Sequence, residues 1–199
     1  VDKDPEEIER QKDILPMLKT LEELRHIMKA KRHARGSIDF EIPEVKVKLD
    51  EKGHPIELIK RTGSLAESII EECMLAANET VAKHMDQKHL PFIYRVHEQP
   101  SDEKMENFNN LLGAFGLFVH QDEEGKVRPI DIQQVLEKVK GKPEEKIVET
   151  VSLRSMQQAR YAAESLGHFG LAARYYTHFT SPIRRYPDTL VHRLLTRYA

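Results

Sequence analysis

The sequence predicts an α+β fold in which a small antiparallel sheet is surrounded by several helices. Apolar side chains alternate along residues 45–49 and 55–60, on either side of a Lys-Gly turn. This is the pattern of antiparallel strands with one solvent-exposed face. In several other stretches, apolar side chains recur at helical spacing. With 199 residues, the chain is long enough for a hydrophobic core, and one domain is the expectation.

The first elements are helical. Residues from about Asp4 to Lys31 are rich in strong helix formers, but Pro16 must break or kink the run, so we predict two helical pieces. An extended segment at residues 36–43 and the two alternating strands come next. Ser64 and Glu67 then form a capping-box pattern, which predicts a helix running to about residue 84.

The second half alternates a short strand with further helices. Residues 92–96 are a strand candidate, and a helix begins near Ser101. The last helix starts at Pro182 or at Pro187, because either proline suits a first helical turn. The predicted helices between these elements run from residue 101 to 113 or 116, from 131 to 140 and from 143 to 158.

Charge and cysteine content narrow the function classes. The net charge of -2 gives no signal for or against a polyanionic partner for the chain as a whole. One cysteine, Cys73, excludes an internal disulfide and suits a reducing compartment, so we expect a cytoplasmic protein. No apolar run approaches a membrane span, so no membrane partner is expected. From Val151 onward the chain is basic, with seven arginines (154, 160, 174, 184, 185, 193 and 197) against Glu164 and Asp188.

The segment from Gly167 to Asp188 is the best candidate for chemistry, because it combines histidines, aromatic rings, hydroxyls and arginines. If a helix begins at Ser181, then free N–H groups, the hydroxyls of Thr180 and Ser181 and the guanidinium of Arg184 meet at one spot. That combination suits a phosphate group.

Other interpretations of the same residues stay open. A helix start at Pro187 loosens the phosphate site, and Arg184 and Arg185 pair with Asp188 or face solvent in the simplest alternative. His178 and His192 are expected to be satisfied by backbone groups. Tyr94, beside Arg95 in a short strand, has the ring and neighbouring cation that stack RNA bases, but core packing is the alternative.

Six blocks of the sequence, taken together, resemble the RNB catalytic domain of the ribonuclease II/R family, its ribonuclease R branch in particular. The block His-Phe-Thr-Ser-Pro-Ile-Arg-Arg is the most specific. The blocks lie at residues 35–41, 70–78, 94–97, 153–159, 167–171 and 178–188.

The resemblance implies an RNB-type antiparallel sheet or partial barrel among helices, and processive 3′→5′ hydrolysis of RNA to nucleoside 5′-monophosphates with Mg²⁺. By position, it implies that Arg184 contacts the scissile phosphate and that Tyr94 packs on the terminal nucleotides. It further implies that Glu164 lies near the ribose, where a 2′-hydroxyl distinguishes RNA from DNA. Thr180, Ser181 and Arg185 are expected to contact RNA.

One departure from the family is large. The aspartate cluster Ile-Asp-Asp-x-Asp-Asp-Ala, which holds magnesium in this family, is absent from the 199 residues, and Asp39 lies in a different block. We therefore expect residues 1–199 to be the C-terminal portion of an RNB domain, to supply no metal ligand and to hydrolyse no RNA alone. A non-catalytic RNB-like RNA-binding module is the second hypothesis.

Overall fold

The chain folds as a mixture of α-helices and two short antiparallel ribbons. A computed structural model describes residues 4–40, 44–61 and 63–199. The α-helices are α1 (Pro5–Arg10), α2 (Leu15–Ala34), α3 (Leu65–Gln87), α4 (Asp102–Gly113), α5 (Pro129–Val139), α6 (Glu145–Ser155) and α7 (Tyr186–Tyr198). The strands are β1 (Glu44–Leu49), β2 (Pro55–Arg61), β3 (Tyr94–Val96) and β4 (Arg160–Ala162), and a 3₁₀ turn spans Phe169–Leu171.

These elements confirm the predicted α+β class with antiparallel strands. The strands form two separate two-stranded ribbons, β1 with β2 and β3 with β4, and the described residues contain no closed barrel. Of the predicted extended segment at 36–43, residues 37–40 have no regular structure and 41–43 lie outside the described residues. Strand β4 was not predicted, because three residues are too few to establish an alternating pattern.

Backbone contacts divide the described residues into two units, and the first comprises the residues up to Met28 together with Phe40–Cys73. The predicted capping box is present here. The N–H of Ser64 donates to the Glu67 carboxylate at 2.9 Å, and the N–H of Glu67 donates to the Ser64 hydroxyl at 3.1 Å. This reciprocal pair fixes the start of α3.

Two helices do precede the first ribbon, as predicted, but Pro16 is not a kink. It is the second residue of α2, where its missing N–H removes no helical hydrogen bond. The break lies between Arg10 and Leu15 instead.

The ribbon of β1 and β2 has one apolar face. Val47 pairs with Leu58 across the ribbon, and Val45 and Ile56 lie on the same side because alternate residues share a face. These four side chains are 46–71% exposed. The opposite face includes the ion pair between Lys48 and Glu57.

The second unit comprises Lys29–Asp39 and Met74–Ala199. In this unit, the turn after α2 packs against α5. Gly36 has φ +94°, and a Cβ atom there would lie 2.6 Å from the backbone of Ile130. The amide of Gln133 donates to the carbonyls of His33 and Ser37, at 3.0 and 2.9 Å. Glycine is therefore required at position 36 for both conformation and space.

Two groups of buried side chains stabilise the second unit. One joins α3, β3 and α7 through Ala82, Met85, Phe92, Tyr94, Val96 and Val191. The other lies on α4, α5 and α6, where α6 packs on both α4 and α5, and includes Met105, Phe108, Leu112, Ile132, Val135, Val139 and Val148. Each fully buried side chain of this size contributes about 1.5–3 kcal/mol through removal of apolar surface from water.

None of the described helices is both long enough and apolar enough to cross a membrane.

Candidate RNA-binding site

The segment before α7 is organised by one buried carboxylate. Asp188, fully buried, accepts a hydrogen bond from the N–H of Ser181 at 2.7 Å and two more from the guanidinium of Arg185, each at 2.9 Å. Asp188 lies in the first turn of α7, where a negative charge is also favoured by the helix dipole. The carboxylate thus holds residues 181–185 against the helix start.

The helix start differs from the tighter of the two arrangements predicted from sequence. Helix α7 begins at Tyr186, with Pro187 in its first turn, whereas residues 181–185 form a turn in which the Ser181 carbonyl accepts from the N–H groups of Arg184 and Arg185. Ser181 therefore does not cap a helix. The local sequence allowed both starts, and only the contact with Asp188, seven residues away, distinguishes them.

The two arginines of this turn have different environments. Arg185 is paired with Asp188, as the alternative interpretation had it, and its side chain is 24% exposed. Arg184 is exposed, and its guanidinium has no hydrogen bond or ion pair with any residue that the structure describes. Of the two guanidinium groups, that of Arg184 is available to an external phosphate. The RNA contacts of both residues remain predictions.

The predicted residues Thr180, Tyr94 and Glu164 occupy three different environments. The Thr180 hydroxyl is buried and has no hydrogen-bond partner within the described residues. Tyr94 is 4% exposed and packs edge-on against Phe92 at 5.4 Å, and burial raises the pKa of its hydroxyl to about 12. Glu164 is exposed. A base cannot reach the Tyr94 ring in this conformation, and the contact of Glu164 with a ribose remains a prediction.

A row of packed rings lies in the second unit. His97 packs edge-on against His168 at 5.0 Å, His168 against Tyr176 at 5.0 Å, and Tyr176 against His178 at 5.9 Å. Burial lowers the pKa of His168 to about 3, with His97 and Arg95 adding to the shift, and burial lowers that of His178 to about 4, with Arg185 and other arginines adding to it. These histidines are therefore neutral at pH 7.

An open cleft of about 590 Å³ lies beside the first two rings of this row. His97, His168 and Phe169 contribute to its wall, together with the cations Arg35 and Arg174. Sites for small molecules commonly have volumes of this order, about 300–1,000 Å³. The cleft thus has two cations beside aromatic rings, of which Arg35 is paired with Glu79.

Two further residues of the site had no clear signal in the sequence. The side chain of Asn78 on α3 donates to the Tyr176 hydroxyl at 3.1 Å and accepts from the N–H of Phe179 at 3.0 Å. Tyr161 on β4 lies against His178, with 2.7 Å between its hydroxyl and Nδ1. Both contacts join residues distant in sequence, so local patterns do not reveal them. The alternation along residues 92–96 predicts only that Tyr94 and Arg95 lie on opposite faces of the strand.

The carboxylates of the described residues do not fit a magnesium site. No three or more of their histidine, cysteine, aspartate and glutamate side chains group closely enough to hold an ion. Asp39 is held by the guanidinium of Arg32, with one of the two contacts at 3.2 Å, and Asp188 is held by Arg185. Both carboxylates are thus committed to arginine.

Comparison with known proteins identifies the family. The RNB domain model matches residues 2–199. The chain belongs to the RNB domain family. Over 188 residues, covering 94% of the chain and 23% of the relative, it is 50% identical to ribonuclease R 1 of Lactococcus lactis. The chain spans about a quarter of the length of the curated relatives it matches.

Solved structures of RNB-type proteins share this fold. RNase R of Mycoplasma genitalium, in complex with ribose-methylated single-stranded RNA, matches with a TM-score of 0.85 and 35% identity, over 92% of this chain and 28% of that one. Yeast Ssd1, described as a pseudonuclease, matches with a TM-score of 0.65 and 25% identity, over 89% of this chain and 22% of that one. The resemblance read from the six sequence blocks is confirmed.

Proposed function

We propose that this chain is the RNA-holding portion of the RNB domain in a 3′→5′ exoribonuclease that hydrolyses RNA processively to nucleoside 5′-monophosphates. The observation that carries the proposal is the exposed guanidinium of Arg184, set in the most specific RNB block next to an arginine that is already paired. Single-stranded RNA bound to the Mycoplasma genitalium relative supports RNA as the ligand. The substrate class is single-stranded or structured RNA, which the enzyme degrades from its 3′ end.

Arg184 is the proposed catalytic contact. A guanidinium can donate two parallel hydrogen bonds to a phosphodiester and stabilise the negative charge that develops as the phosphorus is attacked. Arg185 holds the turn through Asp188 at 2.9 Å, which limits where the backbone of Arg184 can lie. The two arginines therefore have different roles, because Arg185 positions the turn and Arg184 contacts the RNA.

The proposal assigns magnesium to carboxylates outside this chain. Asp39 and Asp188 are both paired with arginines, so neither of these two carboxylates is free to hold a metal ion that activates water. Carboxylates outside the described residues would hold the ion in the whole enzyme, where it would supply a water of lowered pKa and charge stabilisation at the leaving oxygen. The chain alone is expected to bind RNA and release no mononucleotide. The whole enzyme is expected in the cytoplasm.

The test compares the chain with the whole protein. Each is incubated with 5′-labelled single-stranded RNA and Mg²⁺, and products are resolved by length. Stepwise shortening from the 3′ end with nucleoside 5′-monophosphate release by the whole protein alone is the expected result. Robust mononucleotide release by residues 1–199 would overturn the assignment of catalysis to carboxylates outside the chain.

The second candidate is a non-catalytic RNA-binding module, which the match to a pseudonuclease favours. In that case the whole protein binds RNA with the steep salt dependence of phosphate contacts but does not shorten it. The same assay distinguishes the two functions, because RNA binding without shortening supports only the module.

A further inference from the structure

The outward face of the second ribbon has a cation stacked on an exposed aromatic ring. Arg95 and Tyr161 are direct partners in the β3–β4 register, so their side chains share a face. The guanidinium carbon of Arg95 lies 4.8 Å from the centroid of the Tyr161 ring. Tyr94 and Val96, the neighbours of Arg95, point to the other side and are buried at 4% and 1% exposure.

Tyr161 is fixed in place although it is 39% exposed. Its hydroxyl lies 2.7 Å from Nδ1 of His178, and the two rings meet edge-on with centroids 5.7 Å apart. A neutral histidine with its proton on Nε2 accepts a hydrogen bond from the phenol O–H at Nδ1. His178 is itself packed against Tyr176. An aromatic ring held in this way loses little side-chain freedom when a ligand stacks on it.

The charge around this ring suits a polyanion. Arg95 has no ion pair with any residue that the structure describes. Burial lowers the pKa of His178, and the charges of Arg185, Arg95 and Arg184 lower it further, so several cations lie on this side of the unit. A ligand that presents flat rings and a negatively charged backbone together is single-stranded nucleic acid, whose unpaired bases stack on aromatic side chains.

We propose that Tyr161 is the base-stacking residue of this surface, with Arg95 as its cationic partner toward the phosphate backbone. This inference deepens the proposed function, and it rests on that function only for the identity of the ligand as RNA. It gives the stacking contact to an exposed ring, whereas Tyr94 lies inside the core. His178 is a positioning residue that orients Tyr161 through the hydroxyl.

The test uses the whole protein and a series of short single-stranded oligoadenylates in which one nucleotide at a time is made abasic. In the unmodified protein, one abasic position is expected to weaken binding by about 5- to 100-fold, which is the range for loss of one base–aromatic stack. Tyr161→Leu is expected to weaken binding of the intact oligonucleotide by a similar factor. In Tyr161→Leu the same abasic position should then cost nothing further.

Matched variants separate stacking from structural damage. Phe118→Leu changes another exposed ring, 55% exposed, and should leave affinity within about twofold. Tyr161→Phe retains the ring and should bind nearly as well as the unmodified protein. Arg95→Met should make the slope of log affinity against log salt concentration shallower by about 1, which is the value for loss of one phosphate contact. If Tyr161→Leu unfolds, the abasic series and Arg95→Met decide the question with the folded proteins.

Three outcomes would overturn the inference: equal losses for Tyr161→Leu and Phe118→Leu, independent losses for Tyr161→Leu and the abasic position, or no sensitive position anywhere in the abasic series. The result is separable from the proposed exonuclease function. A protein that shortens RNA but binds equally well with Tyr161→Leu contradicts the stacking site alone. A protein that shows the coupled loss of binding but never shortens RNA contradicts only the exonuclease.

Discussion

The guanidinium of Arg185 makes two hydrogen bonds of 2.9 Å to the buried carboxylate of Asp188, while the adjacent Arg184 is exposed. Of these two neighbouring guanidinium groups, one is thus paired with a carboxylate, and the other has no ion-pair partner among the described residues. One pair of substitutions should therefore separate structure from catalysis in this turn.

Arg184→Ala in the whole enzyme should lower turnover by about 100- to 1,000-fold, the cost typical of one lost donor to a developing negative charge. RNA affinity should change little, because one cation among many contributes little to binding. Arg185→Ala should instead lower the free energy of unfolding by about 3 kcal/mol, since Asp188 would remain buried and unpaired. Single-turnover kinetics and urea unfolding measure the two effects. Equal losses of turnover and affinity in Arg184→Ala would contradict the catalytic role.

Glu164→Ala should weaken the preference for RNA over DNA, because an exposed carboxylate can accept a hydrogen bond from a 2′-hydroxyl that DNA lacks. The change should amount to about 3- to 10-fold in the ratio of affinities, the value of one ordinary hydrogen bond. Competition between RNA and DNA oligonucleotides of one sequence measures it. Glu103→Ala, which changes an exposed carboxylate at the start of α4, is the control. An unchanged ratio in Glu164→Ala would mean that this side chain is a surface glutamate that does not contact the ribose.

Asn78→Ala should lower the free energy of unfolding by about 2–3 kcal/mol, because it leaves the Phe179 N–H without its acceptor and the Tyr176 hydroxyl without its donor. Tyr176→Phe removes only one of these contacts and should cost about 1 kcal/mol. Denaturant unfolding of both variants provides the comparison. A smaller loss for Asn78→Ala than for Tyr176→Phe would show that this side chain does not hold the segment in place.

Stability should fall as the pH drops below about 6.5. The pKa of His168 is about 3 in the folded chain, so between these values the unfolded chain binds a proton that the folded chain does not. Stability therefore rises with pH in this window, by up to about 1.4 kcal/mol per pH unit for one such group. Thermal unfolding from pH 7 to pH 4 measures the slope. His168→Asn, which can still accept from the N–H of Leu171, should show a shallower slope.

Local chemistry made part of this fold predictable. The reciprocal bonds of Ser64 and Glu67 and the turn between β1 and β2 depend on residues a few positions apart, and the sequence patterns located both. Helix α7 begins at Tyr186, next to Pro187 and not at Pro182, and Asp188 in its first turn holds Ser181 and Arg185 of the preceding turn.

The face of β3 needed information that local patterns lack. Tyr94 and Arg95 are adjacent, and a strand can turn either of them toward the core. Pairing with β4 places Arg95 opposite Tyr161, which is 66 positions later in the chain. The same limit applies to Asn78, whose partner Tyr176 is 98 positions away. Packing between distant segments decides which side chains a ligand can reach on this surface. Sequence therefore pointed to Tyr94 as the stacking residue, whereas Tyr161 is the ring that is exposed.

The apolar face of the β1–β2 ribbon bears on how the chain behaves in solution. Val45, Val47, Ile56 and Leu58 form a hydrocarbon surface open to water, on strands whose outer edges have no partner strand among the described residues. Such a surface favours contact with another copy at high concentration, and lysines along the same strands, at positions 46, 48 and 60, oppose close approach by charge. Solubility of the isolated chain should therefore decline when salt screens those lysines.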